Sequence, residues 1–305
     1  MRPSRHPRLG TSFEIRFVPS TDLVLVLGGA VYLWSGYGHT KVGKVRPFSH
    51  PSSIDLLQDG KQAVVKNTAG KLAIVNLPSL EVRHLPTLGA TSEGCQALIS
   101  PCGQFVVDGS WDGELVVRSL VTGVSEFREH HENAMMVWLS CDHTRDTFVY
   151  VRQPKAVGEQ APRPSEVIVR RWPFSSNEET MVRGPWGNVH AASPSPEATH
   201  LAVLHQLATG EVALDVVEAE TSRILATSNF EYGGTNHSLA WSPDGRILAT
   251  VQRGRAAFFE SRSLSLLGAY EIEHPCWVEF SPNGEYVALG SWDKGTIKRV
   301  AEVLG

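Results

Sequence analysis

The stretch Trp241-Ser-Pro-Asp-Gly-Arg-Ile-Leu-Ala-Thr250 decides how this chain is read, because it returns as Phe280-Ser-Pro-Asn-Gly-Glu-Tyr-Val-Ala-Leu289 and as Ile99-Ser-Pro-Cys-Gly-Gln-Phe-Val-Val-Asp108. Each copy is an apolar run, a turn and a second apolar run. The turn chemistry is specific: Pro fixes φ, Asp or Asn tolerates the bend, and Gly takes a positive φ without steric cost. Four weaker copies keep the same hydrophobic register: Phe17 to Val26, Leu57 to Val65, Leu139 to Tyr150 and Ala192 to Leu204.

Marking the serine position of each copy gives 18, 58, 100, 140, 193, 242 and 281, with spacings of 40, 42, 40, 53, 49 and 39 residues. One four-stranded propeller blade takes about 40 to 45 residues. The spacing therefore predicts an all-β chain, a single seven-bladed β-propeller of four-stranded antiparallel blades. The blade cores fall at 13–48, 54–88, 96–128, 135–183, 189–227, 238–270 and 276–304. Outer strands are expected at Val42 to Arg46, Glu81 to Leu85, Val124 to Arg128, Met181 to Arg183, Ile224 to Thr227 and Leu266 to Tyr270.

Two copies carry a further phrase after their second strand, Gly109-Ser-Trp-Asp-Gly113 and Gly290-Ser-Trp-Asp-Lys-Gly295. With these residues in view the chain resembles the WD-repeat family across nearly its whole length. The resemblance implies that Asp112 and Asp293 hold the turn between second and third strands by local hydrogen bonds. It matches the family's third-strand tryptophan at Trp34 and Trp172, whereas Arg118, Phe259 and Arg299 depart from it. The family's histidine is matched at His130, while His50 and His274 sit too close to their strands. It also implies that residues 1–10, around Arg5 to Gly10, supply the missing outer strand of the last blade. Pro7 is acceptable there, since an outer strand needs only one hydrogen-bonding edge.

Composition narrows the function classes. With 42% apolar and 20% charged residues there is material for a large core. A net charge of -4 lacks the basic excess that attracts phosphate backbones, so no nucleic acid is expected. Arg2, Arg5 and Arg8 read as a solvated terminus. The four cysteines, Cys95, Cys102, Cys141 and Cys276, show no zinc-like spacing and read as reduced thiols of a cytoplasmic protein. Leu23 to Leu33 resembles the apolar core of a signal peptide, but the repeat register makes it a strand pair broken at Gly28-Gly29. No other segment approaches a membrane span, so no membrane is expected.

No catalytic motif stands out. His131-Glu132 begins like a zinc-protease phrase, but residue 135 is Met and the segment enters a strand. The pairs Gly28-Gly29 and Gly233-Gly234 open no helix and read as turns. The expectation is a non-enzymatic protein-interaction platform, a scaffold or an immunity-type protein masking a partner, with no cofactor, catalytic residue or metal. The partner is another protein, contacted through Trp111, Trp186, Tyr232, Trp277 and Trp292 on the connections of one face, since exposed aromatics dominate interfaces. The competing role for each is packing over a neighbouring blade; Trp241 occupies the core slot shared with Phe280. The alternative is a metal-dependent propeller hydrolase, a lactonase or phosphoesterase, drawing ligands from Glu93, Asn133, Asn188, His190, Asn236, His237, Glu273 and His274 around the axial channel. The longest insertion, Gln153 to Ser165, is expected to be disordered or to form one wall beside the aromatic face.

Overall fold

A computed structural model describes residues 9–86, 95–142, 147–155, 164–174, 179–230 and 238–305. Seven antiparallel sheets follow one another along the chain, each with its strands in sequence order. The first holds β1 (Glu14–Phe17), β2 (Val24–Leu27), β3 (Val31–Ser35) and β4 (Thr40–Val45). The second holds β5 (Pro51–Leu56), β6 (Gln62–Asn67), β7 (Leu72–Asn76) and β8 (Val82–His84). The third holds β9 (Ala97–Ile99), β10 (Phe105–Gly109), β11 (Glu114–Ser119) and β12 (Ser125–His130). The fourth holds β13 (Ala134–Asp142), β14 (Thr147–Pro154), β15 (Glu166–Arg171) and β16 (Glu179–Val182). The fifth holds β17 (Asn188–Pro194), β18 (His200–Gln206), β19 (Val212–Glu218) and β20 (Ile224–Phe230). The sixth holds β21 (Leu239–Trp241), β22 (Ile247–Gln252), β23 (Arg255–Glu260) and β24 (Leu266–Glu271). The seventh holds β25 (Pro275–Phe280), β26 (Tyr286–Ser291) and β27 (Thr296–Arg299), followed by a short helix, α1 (Val300–Leu304).

Burial follows from stacking. The middle strands β2, β6 and β10 are buried along almost their whole length, because each is covered by a blade on either side. The outermost strands β12, β20 and β24 alternate between half-buried and exposed residues.

In the clear copies of the repeat turn, the serine hydroxyl reinforces the backbone bonds. Ser242 Oγ accepts from the Ile247 amide at 2.9 Å and donates to Asp244 at 2.6 Å, while Gly245 takes φ +71°. Ser281 repeats this with Tyr286 and Asn283, and Gly284 takes φ +72°. The fifth copy corrects the sequence reading by two residues. There the turn serine is Ser195, not Ser193: Ser195 Oγ accepts from the His200 amide, and Ala198 stands at φ +53° in the glycine position. In the second copy the pattern centres on Leu57 rather than residue 58, since the Leu57 amide bonds to Gln62 and the Gly60 amide to Leu57.

An innermost strand is paired on one edge only, so its other edge presents polar backbone groups to the axis. Side chains of the adjoining blades satisfy some of them. Glu14 accepts from the Ile54 amide at 2.9 Å, Asp55 from Ile99 at 2.8 Å, Gln96 from Leu139 at 3.3 Å and Ser238 from Val278 at 3.2 Å. Trp138 and Ser140 donate to the Ala192 carbonyl, and Trp241 donates to that of Ser193. Between the last blade and the first, Glu279 accepts from the Phe17 amide and Trp277 donates to the Ile15 carbonyl. Each of the seven inter-blade junctions is thus pinned near the axis. The two end blades also share a core of Leu9, Ile15, Phe17, Val24, Trp277, Ala288 and Ile297.

Residues 1–8 of the expected N-terminal strand lie outside the described residues. Leu9 donates its amide to the Gly295 carbonyl and Gly10 accepts from the Gly295 amide, each at 3.0 Å, just before β27. Ser12 bridges to Ser291. Among the described residues no helix is long and apolar enough to cross a membrane.

Candidate functional site

The innermost strands begin, and the second-to-third-strand turns fold over, at the same end of the ring. Between them opens an axial funnel of about 880 Å³. Its wall includes Phe13 and Glu14, Ser53, Trp111, Trp138, His190, Trp277 and Trp292, drawn from six of the seven blades, and Ser238 completes the ring. Arg46 and His50 also line it.

Three of the five aromatics named from sequence meet in this funnel. Trp111 and Trp292 stand on it with 44% and 51% of their surface exposed. Trp292 is steadied by Phe13, with ring centroids 4.3 Å apart. Trp277 lines the wall but is only 8% exposed; its indole N–H bonds to Ile15, and the Arg16 guanidinium lies 4.7 Å from its ring centre. Trp186 is fully buried and lines no part of the funnel. Its indole N–H donates to Asp215 at 2.9 Å, and the same carboxylate receives His205 at 3.0 Å and Thr227 at 2.6 Å. Burial raises the Asp215 carboxyl, but the hydrogen bonds from His205, Thr227 and Trp186 outweigh it and hold the group below the usual carboxylate range. Gly184 permits this seat, since a Cβ there would lie 2.3 Å from the Trp186 ring. The expectation that Trp186 and Trp277 are exposed therefore fails, because both pack between blades. Tyr232 lies outside the described residues, as do residues 156–163 of the long insertion. Lys155, at the start of that insertion, donates to the Asp112 and Glu132 carbonyls, tying it to the Trp111 turn.

The turn under Trp292 is organised by a hydroxyl. Ser291 Oγ accepts from the amides of Asp293 and Lys294 and donates to the Glu273 carbonyl, whereas the Asp293 carboxylate faces Lys294 at 3.5 Å. At the third blade, Ser110 accepts the Gly113 amide on its carbonyl and donates its own amide to Glu114. The Asp112 side chain is exposed. The turn-holding role expected of Asp293 thus falls to Ser291. His50 and His274, each followed by Pro, share a device that sequence reading did not find. Both adopt φ near +50°, at 51° and 48°, and their carbonyls accept the amides of Thr68 and Trp292 across the rim.

Electrostatics define what the funnel offers. Burial pushes the Glu14 carboxyl up to about 7 against the opposing pull of Arg16. Burial likewise raises Glu279, which pairs with Arg16 at 2.7 Å. Burial pushes the thiols of Cys95 and Cys276 up to about 12, and lowers His190 to about 4 with help from His205. At neutral pH the wall therefore presents thiols rather than thiolates, and a neutral imidazole. Among the described residues no three His, Cys, Asp or Glu side chains converge to hold an ion. Of the described members of the ring suggested for a metal, only His190 lines the funnel; Glu93, Asn236 and His237 lie outside the described residues.

Buried charge elsewhere also escaped the sequence. Lys66, 1% exposed, donates to Asp108 at 2.6 Å and to the Cys95 and Gly109 carbonyls, locking the second blade to the third.

Fold and site together define an all-β, seven-bladed propeller with an aromatic-walled axial funnel. No family model matches the chain, and no curated protein matches it. Among solved structures it is similar to a chain of Kuenenia stuttgartiensis hydrazine synthase, with a TM-score of 0.78, 14% identity and 99% of each chain covered. At that identity the likeness is one of fold.

Proposed function

We propose that this chain is a non-enzymatic interaction platform that receives another protein on the funnel face. One observation carries the reading: Trp111 and Trp292, the two most exposed of its tryptophans, stand on one cavity at the hub of a pinned ring. Solvated indoles on a rigid scaffold lose little entropy on binding and supply much contact area, which is why tryptophan anchors interfaces. Cys95 and Cys276 on the wall stay protonated at neutral pH and are poor nucleophiles there. A WD-repeat relationship and a cytoplasmic scaffold role belong to this reading. So does closure of the seventh blade by residues 1–10, which the Leu9 and Gly10 bonds to Gly295 support.

The test is capture of partners by the purified chain and by a Trp111→Ala, Trp292→Ala double variant. Both side chains are largely exposed, so the double variant should melt within about 1 kcal/mol of the parent in stability while losing the captured protein. Retained capture, or a near-stoichiometric metal with turnover of a lactone or phosphoester, would overturn the reading.

A further inference from the structure

The innermost strands share a device that recurs from blade to blade. In β5, β13, β17 and β25 one residue is bulged out of the pairing register: Ser52, Val137, His190 and Cys276. Ser52, His190 and Cys276 each stand five residues ahead of the turn residue of their blade, Leu57, Ser195 or Ser281, and Phe13 and Cys95 hold that place ahead of Val18 and Ser100. The sixth-blade equivalent, His237, lies outside the described residues. Phe13, Ser52, Cys95, Val137, His190 and Cys276 all line the funnel. Ser52 and His190 are half-buried between strand neighbours that are buried, so the bulge is what opens the strand to the cavity. A bulge gives up ladder pairing and serves where a side chain has to be re-aimed, which makes this ring a built lining rather than a by-product of closing the propeller.

The chemistry of the lining narrows the guest. Phe13, Trp111, Trp138, Trp277 and Trp292 line the same cavity, and the indole N–H groups of Trp138 and Trp277 are spent on the Ala192 and Ile15 carbonyls of the next blades. Burial keeps Cys95 and Cys276 as thiols and His190 as a neutral imidazole. Among the described lining residues the acid is Glu14, buried and bonded to the Ile54 amide, and the strong base is Arg46, which is exposed. One group of each sign leaves no excess to select a cation or an anion, and a charged guest seated in the bulge ring would be stripped of water without a counter-ion. At about 880 Å³ the funnel has the volume of a small-molecule pocket, walled by aromatics with a few polar groups. We propose that the bulge ring binds an uncharged aromatic small molecule. This inference goes beyond the platform reading and does not depend on it.

The test titrates the full chain with three probes of similar shape, acetonaphthone, naphthoate and naphthylmethylammonium, followed by calorimetry and by tryptophan quenching. The neutral ketone is expected to bind saturably, and each ion about tenfold more weakly or worse. Two substitutions in the ring locate the site: Val137→Glu puts a carboxylate into the wall and Ser52→Phe fills it, and each should weaken the ketone about tenfold in protein that melts as a folded chain. Photolabelling of the parent with a neutral naphthyl diazirine locates the site without any substitution, and should mark the peptides that carry Ser52, Val137, His190 or Cys276. No saturable ketone binding, equal binding of either ion, undiminished binding in a folded ring variant, or labelling confined to other peptides would overturn the proposal. Capture of a protein by the parent and its loss in Trp111→Ala/Trp292→Ala are measured separately, so failure of the small-molecule site leaves the platform reading to stand or fall on its own test.

Discussion

Glu14 shows how one residue serves the hub and strains it. Its carboxyl pins the second blade through the Ile54 amide, yet burial raises it from 4.5 to about 7. A carboxyl raised in the folded state binds more protons there than in the unfolded chain between those values, so stability falls as pH rises from 4.5 through 7. The loss from this group is on the order of 3 kcal/mol. Glu14→Gln should therefore match the parent near pH 4.5 and melt higher near pH 8. Equal melting curves at both pH values would contradict this account of the residue. His190 works in the opposite sense: lowered from 6.5 to about 4, it stabilises the fold above 6.5 and loses that contribution as pH falls toward 4. Trp111 and Trp292 were legible as surface residues because the turn phrase that carries them is local. Trp186 was not, because Gly-Pro-Trp-Gly reads as a loop, while its seat is set by Asp215, 29 residues away.

At the scale of strands and turns, the sequence spoke where the interaction was local and stayed silent where it was not. Ser-Pro-Asp-Gly places donor, acceptor and left-handed residue within five positions, so the clear copies declare themselves. The fifth was read two residues early because Ser193-Pro194 and Ser195-Pro196 both fit, and the glycine that would have chosen between them is Ala198 at φ +53°. Ala198→Gly should accordingly raise stability by about 1 kcal/mol, by chemical denaturation, through relief of left-handed strain. The Lys66 and Asp108 pair was invisible because its partners lie 42 residues apart on different blades. Asp108→Ala leaves Lys66 and Arg118 buried without their shared carboxylate, and should cost about 3 to 5 kcal/mol. Lys66→Met should cost less, since Arg118 still faces Asp108 at 3.5 Å. A larger loss for Lys66→Met would show that the lysine's carbonyl bonds, not the ion pair, hold the junction.

Over the whole molecule, periodicity alone carried the blade count, because a ring of stacked sheets repeats its turn chemistry once per blade. The helix α1 was not foreseen: Val303 packs against the sixth blade at Gly268, a tertiary fit without a local signal. Shortening the chain to begin after residue 10 should lower the melting temperature in a thermal scan, because Leu9 sits in the core shared by the first and last blades and Leu9 and Gly10 bond to Gly295. The funnel exists because the ring brings all seven blades to one axis, so the recognition proposed for it belongs to the assembled propeller. The most direct measurement is quantitative mass spectrometry of proteins retained by the immobilised chain, run beside Trp111→Ala/Trp292→Ala at matched folding. The account predicts a protein held by the parent and absent from the double variant; equal retention on both would contradict it.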